Sequence, residues 1–205
     1  MQPFPLKAQQ TLYLFDFDGT ITQSDSMFCF LRFLAGDFNF FIKMLWVLPV
    51  LGIQKLMGTD NLLLKKQLLL FFMKGKSKSS FTEKAEQFYK QKKDKILRPK
   101  AVEKIEALRQ DNDAVICIVS ASLDLWISPF AEAWECHFIA TKALYDGDGV
   151  FIGIVGKNCN GDEKVNRVKT YFDFSQEPKQ IIAYGNSSGD QAMYDFADLR
   201  FHCHF

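Results

Sequence analysis

The sequence lacks the marks of several specialised classes. It has five cysteines, an odd number with no CxxC spacing, which argues against a disulfide framework and for a reducing compartment. It has almost no net charge, +1 over 205 residues, so the whole chain shows no bias toward nucleic acid or acidic partners. It has no secretory leader in its first ten residues, which carry two prolines and no apolar core. A cytoplasmic, non-secreted protein is the expectation. It also lacks an uninterrupted apolar run of bilayer length. The most apolar stretch, 38–54, is interrupted by Lys43 and expected to break at Pro49. Its clean part, 44–54, is 11 residues against the roughly 20 needed to span. A buried or interfacial segment is expected there. No repeat or low-complexity tract appears.

What is present is apolar and aromatic. Apolar residues make up 48 % of the chain, which excludes disorder, and 21 residues are phenylalanine. Residues 11–17 read as a strand buried on both faces, followed by a Gly19-Thr20 turn. Residues 26–79 show no strand alternation and suit helices, with breaks near Gly36, Pro49 to Gly52, Gly58 and Gly75. A polar, lysine-rich helix is predicted over 81–97, and Pro99 opens another to about Gln110. Then come a buried strand at 114–119, a helix at 122–134, a short strand at 136–141 and a hairpin at 145–155 around a DGDG turn. A helix at 162–172, a strand at 181–184, a helix at 190–196 and a last strand at 199–205 complete the chain. Strands alternating with helices on buried runs predict an α/β domain with a mostly parallel sheet.

In such sheets the working residues lie just past the carboxyl ends of the strands. Asp16, Asp18 and Thr20 follow the first strand. Ser120, Ala121 and Ser122 follow the second. Lys157 and Lys164 follow the hairpin, and Gly185 to Asp190 follow the 181–184 strand. Carboxylates, a hydroxyl and a lysine on one rim suit a divalent cation plus a phosphate. His202 and His204 lie two apart on the last strand, but no further zinc ligands stand nearby in sequence.

Asp16-Phe17-Asp18-Gly19-Thr20 resembles the first motif of the haloacid dehalogenase-like (HAD) superfamily. Val119-Ser120-Ala121-Ser122 resembles the second, Lys164 the third and Gly185 to Asp190 the fourth. Order, spacing and strand context agree over essentially the whole chain. The helical insertion after the first motif resembles the cap of the phosphoserine phosphatase-like branch, and more closely its phosphatidylglycerophosphatase C-type members. The resemblance implies a Rossmann-like three-layer core (1–25 and 96–205) and an all-helical cap (26–95) inserted after the first strand. It implies a Mg2+-dependent phosphomonoester hydrolase acting on a small phosphorylated metabolite. Asp16 would be the nucleophile, Asp18 the general acid and base, and Lys164 the charge-neutralising cation, favoured over Lys157 by its place at a helix start. Two residues along one strand, Asp18 would share a side with Asp16. Phosphate would be bound by Ser120, Ala121 and Thr20, helped by N–H groups at the next helix start. Mg2+ would be bound by Asp16, the Asp18 carbonyl, Asn186 and Asp190, the last directly or through water.

Two departures bear on the substrate and the metal. Many relatives have Asp where this chain has Asn186, and an amide brings no charge, so weaker metal binding follows. Phosphoserine phosphatases use a cap arginine for the serine carboxylate, whereas residues 33–97 contain none. Asp25 lies where those enzymes hold the substrate amine, or is a solvated loop carboxylate. Charge is segregated too: residues 55–104 hold 14 basic and 5 acidic side chains. That stretch is either a solvated lysine face on a helical bundle or a surface for an anionic membrane. The alternatives to a soluble metabolite are therefore a lipid phosphate taken at a membrane face, or a non-catalytic phosphate-binding pseudoenzyme.

Overall fold

Near-continuous apolar runs bury the inner strands on both faces, and with an exposed edge strand at Leu199–His202 they build one five-stranded, wholly parallel sheet. The computed structural model describes residues 2–202. In chain order the elements are β1 (Phe4–Pro5), β2 (Thr11–Phe15), a tight turn at Phe17–Ile21, α1 (Ser26–Ala35), α2 (Asp37–Leu56), α3 (Asn61–Met73) and α4 (Lys78–Ile96). There follow α5 (Pro99–Leu108), β3 (Ala114–Leu123), α6 (Asp124–Ala133), β4 (His137–Thr141), β5 (Ala143–Tyr145) and β6 (Phe151–Ile154). The last are α7 (Asp162–Tyr171), β7 (Phe172–Asp173), β8 (Gln180–Gly185), a 3-10 turn (Ser188–Asp190), α8 (Gln191–Phe196) and β9 (Leu199–His202). The main sheet runs β4-β3-β2-β8-β9, so the first motif leaves its central strand.

Strand alternation divides the core into two layers of contact. Ile116 and Ile118 face one side with Ala101 and Ile105 of α5 and Trp126, Ile127 and Phe130 of α6. Val115, Cys117 and Val119 face the other, with Val168 of α7 and Met193 and Tyr194 of α8. The result is the three-layer α/β architecture expected. The short β1–β7 pair has no signature in the sequence, because two residues carry no periodicity.

Helices α1 to α4 form one block inserted between the first motif and α5. Its two connections are zipped together. Thr22 and Leu97 form an antiparallel bridge, and Arg98 donates to the Thr22 carbonyl (3.2 Å) and the Gly19 carbonyl (3.2 Å). Phenylalanine seals the rest of the joint. Phe30 of α1 stacks on Trp126 and meets Phe88 of α4 edge-on, and Phe88 and Phe17 both pack on Phe130. Such pairs contribute about 0.5–1.5 kcal/mol each beyond their buried area.

Several boundaries differ from expectation. β2 ends at Phe15, because Gly19 takes a positive φ (76°) and the chain turns from Asp16 onward. β3 continues to Leu123 through a bulge at 120–123, so α6 starts at Asp124 and not at 122. Pro49 does not break α2, which runs through it for 20 residues. The hairpin strands lie at β5 and β6, within a few residues of the expected span. The last strand is described to His202; Cys203 and His204 lie outside the described residues. The four described cysteines, Cys29, Cys117, Cys136 and Cys159, are free thiols.

Candidate active site

The carboxyl ends of β2, β3 and β8 meet at a cavity of about 430 Å3. Asp16 enters it at the end of the central strand, where its backbone N–H donates to the Tyr184 carbonyl of β8 (2.8 Å). Its side chain is held at both oxygens. Lys164 Nζ donates to Oδ1 (2.6 Å) and the Thr20 hydroxyl to Oδ2 (3.1 Å). Lys164 is 1 % exposed, and its Nζ also donates to Asp190 Oδ1 (2.5 Å). One buried cation therefore bridges two buried carboxylates. Burial alone would push its ammonium down; Asp16 and Asp190 outweigh that and hold it above its ordinary value. Burial pushes the Asp16 carboxyl up to about 6, against the pull of Lys164. Lys157 is exposed, away from this centre.

Asp18 is approached from the helical block and from β3. Ser26 N–H donates to Oδ1 (2.6 Å) and the Ser122 hydroxyl to Oδ2 (2.5 Å). Trp126 Nε1 donates to Ser26 Oγ (2.9 Å), which lies 3.1 Å from Ser122 Oγ. Ser122 gives its one hydroxyl proton to Asp18, so Ser26 must donate to Ser122, and the chain has one direction: Trp126 to Ser26 to Ser122 to Asp18. Asp16 and Asp18 thus share the cavity through a turn, with strand alternation playing no part.

Asp190 accepts at Oδ2 from Asn186 N–H, Ser187 N–H and the Ser187 hydroxyl, each at 3.0 Å. Burial pushes its carboxyl up, but Lys164 and these N–H groups outweigh it, leaving the group below the usual carboxylate range. Asp190, like Asp16, has both oxygens on protein donors, and it braces the 185–190 loop. Gly185 permits this, since a Cβ there would lie 2.7 Å from the Asp190 side chain. Asn186 lines the cavity directly over Gly19, where a Cβ would come within 1.9 Å of its Nδ2. A Gly19 side chain is thus disfavoured by φ and would displace the Asn186 amide from its seat.

Ser120 is fully buried, and its Oγ accepts from Ser122 N–H (3.0 Å); Ala121 lines the cavity. Thr20 is buried with its hydroxyl on Asp16. Asp25 caps α1, accepting from Met27 and Phe28 N–H at 2.9 and 3.2 Å, and is exposed at the cavity edge. His202 is exposed beside Tyr194 (3.4 Å), and among the described residues no three His, Cys, Asp or Glu side chains are grouped to hold a metal.

Sequence patterning does not mark Lys65 as a site residue, yet it is one. It comes from α3 and donates to the Ala121 carbonyl (2.6 Å) and Asn158 Oδ1 (2.9 Å), lining the cavity. Burial pushes its ammonium down, with Asp18 and Asp25 pulling the other way. In sequence it is one of ten lysines across the later part of the helical block, and nothing local sets it apart.

A family model for haloacid dehalogenase-like hydrolases matches residues 13–195. The chain belongs to that family. Among curated relatives of this HAD chain, protein CicA of Caulobacter vibrioides is 33 % identical over 189 residues, covering 91 % of this chain and 83 % of CicA. Among solved structures, a protein of unknown function from Bordetella pertussis Tohama I aligns with a TM-score of 0.79 at 21 % identity, over 95 % of this chain and 90 % of that one. A phospho-aspartyl intermediate analogue of phosphoserine phosphatase aligns with a TM-score of 0.60 at 18 % identity, over 95 % and 86 %. The structural likenesses establish the HAD fold.

Proposed function

We propose that this HAD hydrolase is a Mg2+-dependent phosphomonoesterase that passes its phosphoryl group through Asp16. The observation that carries this reading is the placement of Asp16. Its carboxylate stands at the end of the central strand with Lys164 Nζ at 2.6 Å and Asp18 in the same cavity. A phosphoserine phosphatase with this fold has been captured as its phospho-aspartyl analogue, which supports carrying that chemistry here.

Asp16 Oδ attacks phosphorus, the bond to the leaving oxygen breaks, and Asp18 supplies the proton that oxygen needs. Water then attacks the phospho-aspartate while Asp18 takes its proton, returning free Asp16 and inorganic phosphate. Lys164 neutralises charge on Asp16 and on the incoming phosphate, which otherwise repel. Ala121 and Ser122 line the cavity and would meet the phosphoryl oxygens, with Ser120 buried behind them holding the Ser122 N–H. Asp16, the Asp18 carbonyl and Asn186 would hold Mg2+, with Asp190 directly or through water; they offer hard oxygen donors, and the Asn186 amide is already seated against the Asp16–Gly19 turn. Mg2+ supplies positive charge that stabilises the transferring phosphoryl oxygens. Asn186→Asp adds a ligand charge and is expected to lower the Mg2+ concentration for half-maximal activity by about tenfold. A magnesium titration of the variant against the parent checks this.

The cap assignment of 26–95 belongs to this proposal, with the block choosing the leaving group. Its cation at the cavity is Lys65, without the bidentate fork an arginine gives a carboxylate, which disfavours phosphoserine. Lys65→Met is expected to raise KM about tenfold for esters with an anionic leaving group, and to change p-nitrophenyl phosphate much less. The buried free thiols Cys117 and Cys159 support a reducing, cytoplasmic compartment. A phosphate-release screen over soluble esters and lipid phosphates, with Mg2+ and with EDTA, tests the function. No release from any substrate with Mg2+ would leave the phosphate-binding pseudoenzyme. The lipid-phosphate reading is favoured by one observation, the uncovered apolar surface of α2.

A further inference from the structure

A helix that is apolar all round belongs in a protein core or in lipid. Helix α2 is apolar around most of its circumference, yet only one stripe of it meets the core. Phe40 and Val47 are its only buried side chains among the described residues, on a stripe with the half-buried Met44 and Leu51. Nine other large apolar side chains between Phe38 and Leu56 are exposed; Phe38, Leu45, Trp46 and Leu56 are 77, 75, 73 and 90 % exposed. Monomeric proteins rarely leave so continuous an apolar surface in water.

The one charge inside residues 38–54 is half-buried. Lys43 is turned inward, its Nζ 5.8 and 5.2 Å from the ring centres of Phe71 and Phe72 on α3. Residues 38–54 therefore carry a single, half-buried charge, and 38–59 contain no acid at all. Beyond them the charge is basic: Lys55, Lys74, Lys76 and Lys78 are exposed, within the stretch of 14 basic and 5 acidic residues.

We infer that α2 docks the protein on an anionic bilayer, with its outer side chains among the upper acyl chains and Lys55 at its end, with the exposed lysines of the helical block, drawn to the headgroups. By length and composition alone α2 is long enough to cross a membrane. Its connections forbid that: α1 and α3, at its two ends, both bury residues in the same core, Phe30 and Leu31 on one and Leu69 and Met73 on the other. The helix must lie along one leaflet. Trp46 suits the interface, where amphipathic rings collect. Charge selects lipid over a second copy of the chain. Pairing two α2 surfaces would bring two lysine-rich stretches together, whereas an anionic surface attracts both apolar and basic parts.

The test is flotation with phosphatidylcholine vesicles with and without phosphatidylglycerol, read together with tryptophan emission. Trp126 and Trp134 are buried, so a blue shift on binding reports Trp46. The parent is expected to float with the anionic vesicles and to release in high salt. The triple variant Leu45→Ser, Trp46→Ser, Ile53→Ser is expected to lose vesicle affinity about tenfold or more, with p-nitrophenyl phosphate hydrolysis and circular dichroism unchanged. Asp16→Asn is expected to float like the parent, so loss of catalysis and loss of docking are read separately. No flotation of the parent overturns the inference, as does a triple variant that floats equally well. So does a parent that sediments as a dimer, is made monomeric by the triple substitution and ignores vesicles; that result assigns α2 to a second copy.

Discussion

Asp16→Asn is expected to abolish hydrolysis of p-nitrophenyl phosphate, by about 10^4-fold or more, while the protein stays folded. The rate falls because an amide oxygen is too weak a nucleophile to carry the phosphoryl group, so the covalent route closes. The fold survives because the amide has the carboxylate's shape and Lys164 keeps Asp190 (2.5 Å) as a partner. Stability even gains at neutral pH. The unfolded chain releases the Asp16 proton near 3.8, the folded one near about 6. A group whose folded pKa is raised contributes its stability fully below the unfolded value and loses it as pH climbs through the folded one. Asparagine has no such slope. In EDTA, urea melts of variant and parent should converge below pH 4 and favour the variant above pH 6. Beryllofluoride should raise the melting temperature of the parent and not of the variant. A variant retaining a hundredth or more of the parent rate would falsify the role given to Asp16.

Lys164→Met has the larger structural consequence. The ammonium is buried between Asp16 and Asp190, at 2.6 and 2.5 Å. Removing one partner from a buried ionic group leaves uncompensated charge and costs about 3–5 kcal/mol. For a domain of this size that is a melting-temperature loss of roughly 6–20 °C. Activity should fall by about 10^2–10^3-fold at temperatures where the variant is folded, the scale set by removing one preorganised charge stabiliser. Lys164→Arg should not rescue it, because a guanidinium has no room at a position 1 % exposed. A Lys164→Met protein with parent stability would mean that Asp190 is held by its N–H donors alone.

Much of the site is legible in the sequence, and for a local reason. Asp16, Asp18, Ser120 and Lys164 each sit at the end of a run whose burial pattern reveals a strand or helix start. In a parallel sheet those ends converge. Gly19 and Gly185 announce close approaches that a side chain would block, and both are found where Asn186 and Asp190 press against them. The fourth motif is legible as part of the site, but the occupation of Asp190 is not. Its oxygens are taken by N–H groups that point inward only once the 185–190 loop has closed. The bulge at 120–123 is equally hidden, since it is a property of β3 against β4 and of neither strand alone.

By itself the sequence determined the α/β order, the helical block after the first strand, the family, and which atoms stand at the carboxyl rim. The element order and the rim residues depend on periodicity and on spacing along a few residues, where chain geometry leaves little choice; the family rests on the resemblance of four ordered motifs, which the match over residues 13–195 bears out. Only the tertiary structure decided which lysine of ten reaches the cavity. It decided that Trp126, Ser26 and Ser122 form a one-way chain onto Asp18, across about a hundred residues of sequence. It also decided that α2 runs through Pro49 and lies uncovered. Pro49 removes one helix donor, which is a local penalty. Whether the apolar surface around it meets another element depends on how the whole block packs, and no spacing encodes that. The phenylalanines divide accordingly: Phe17, Phe30, Phe88 and Phe130 close the joint between block and core, while Phe38 and Phe41 face outward.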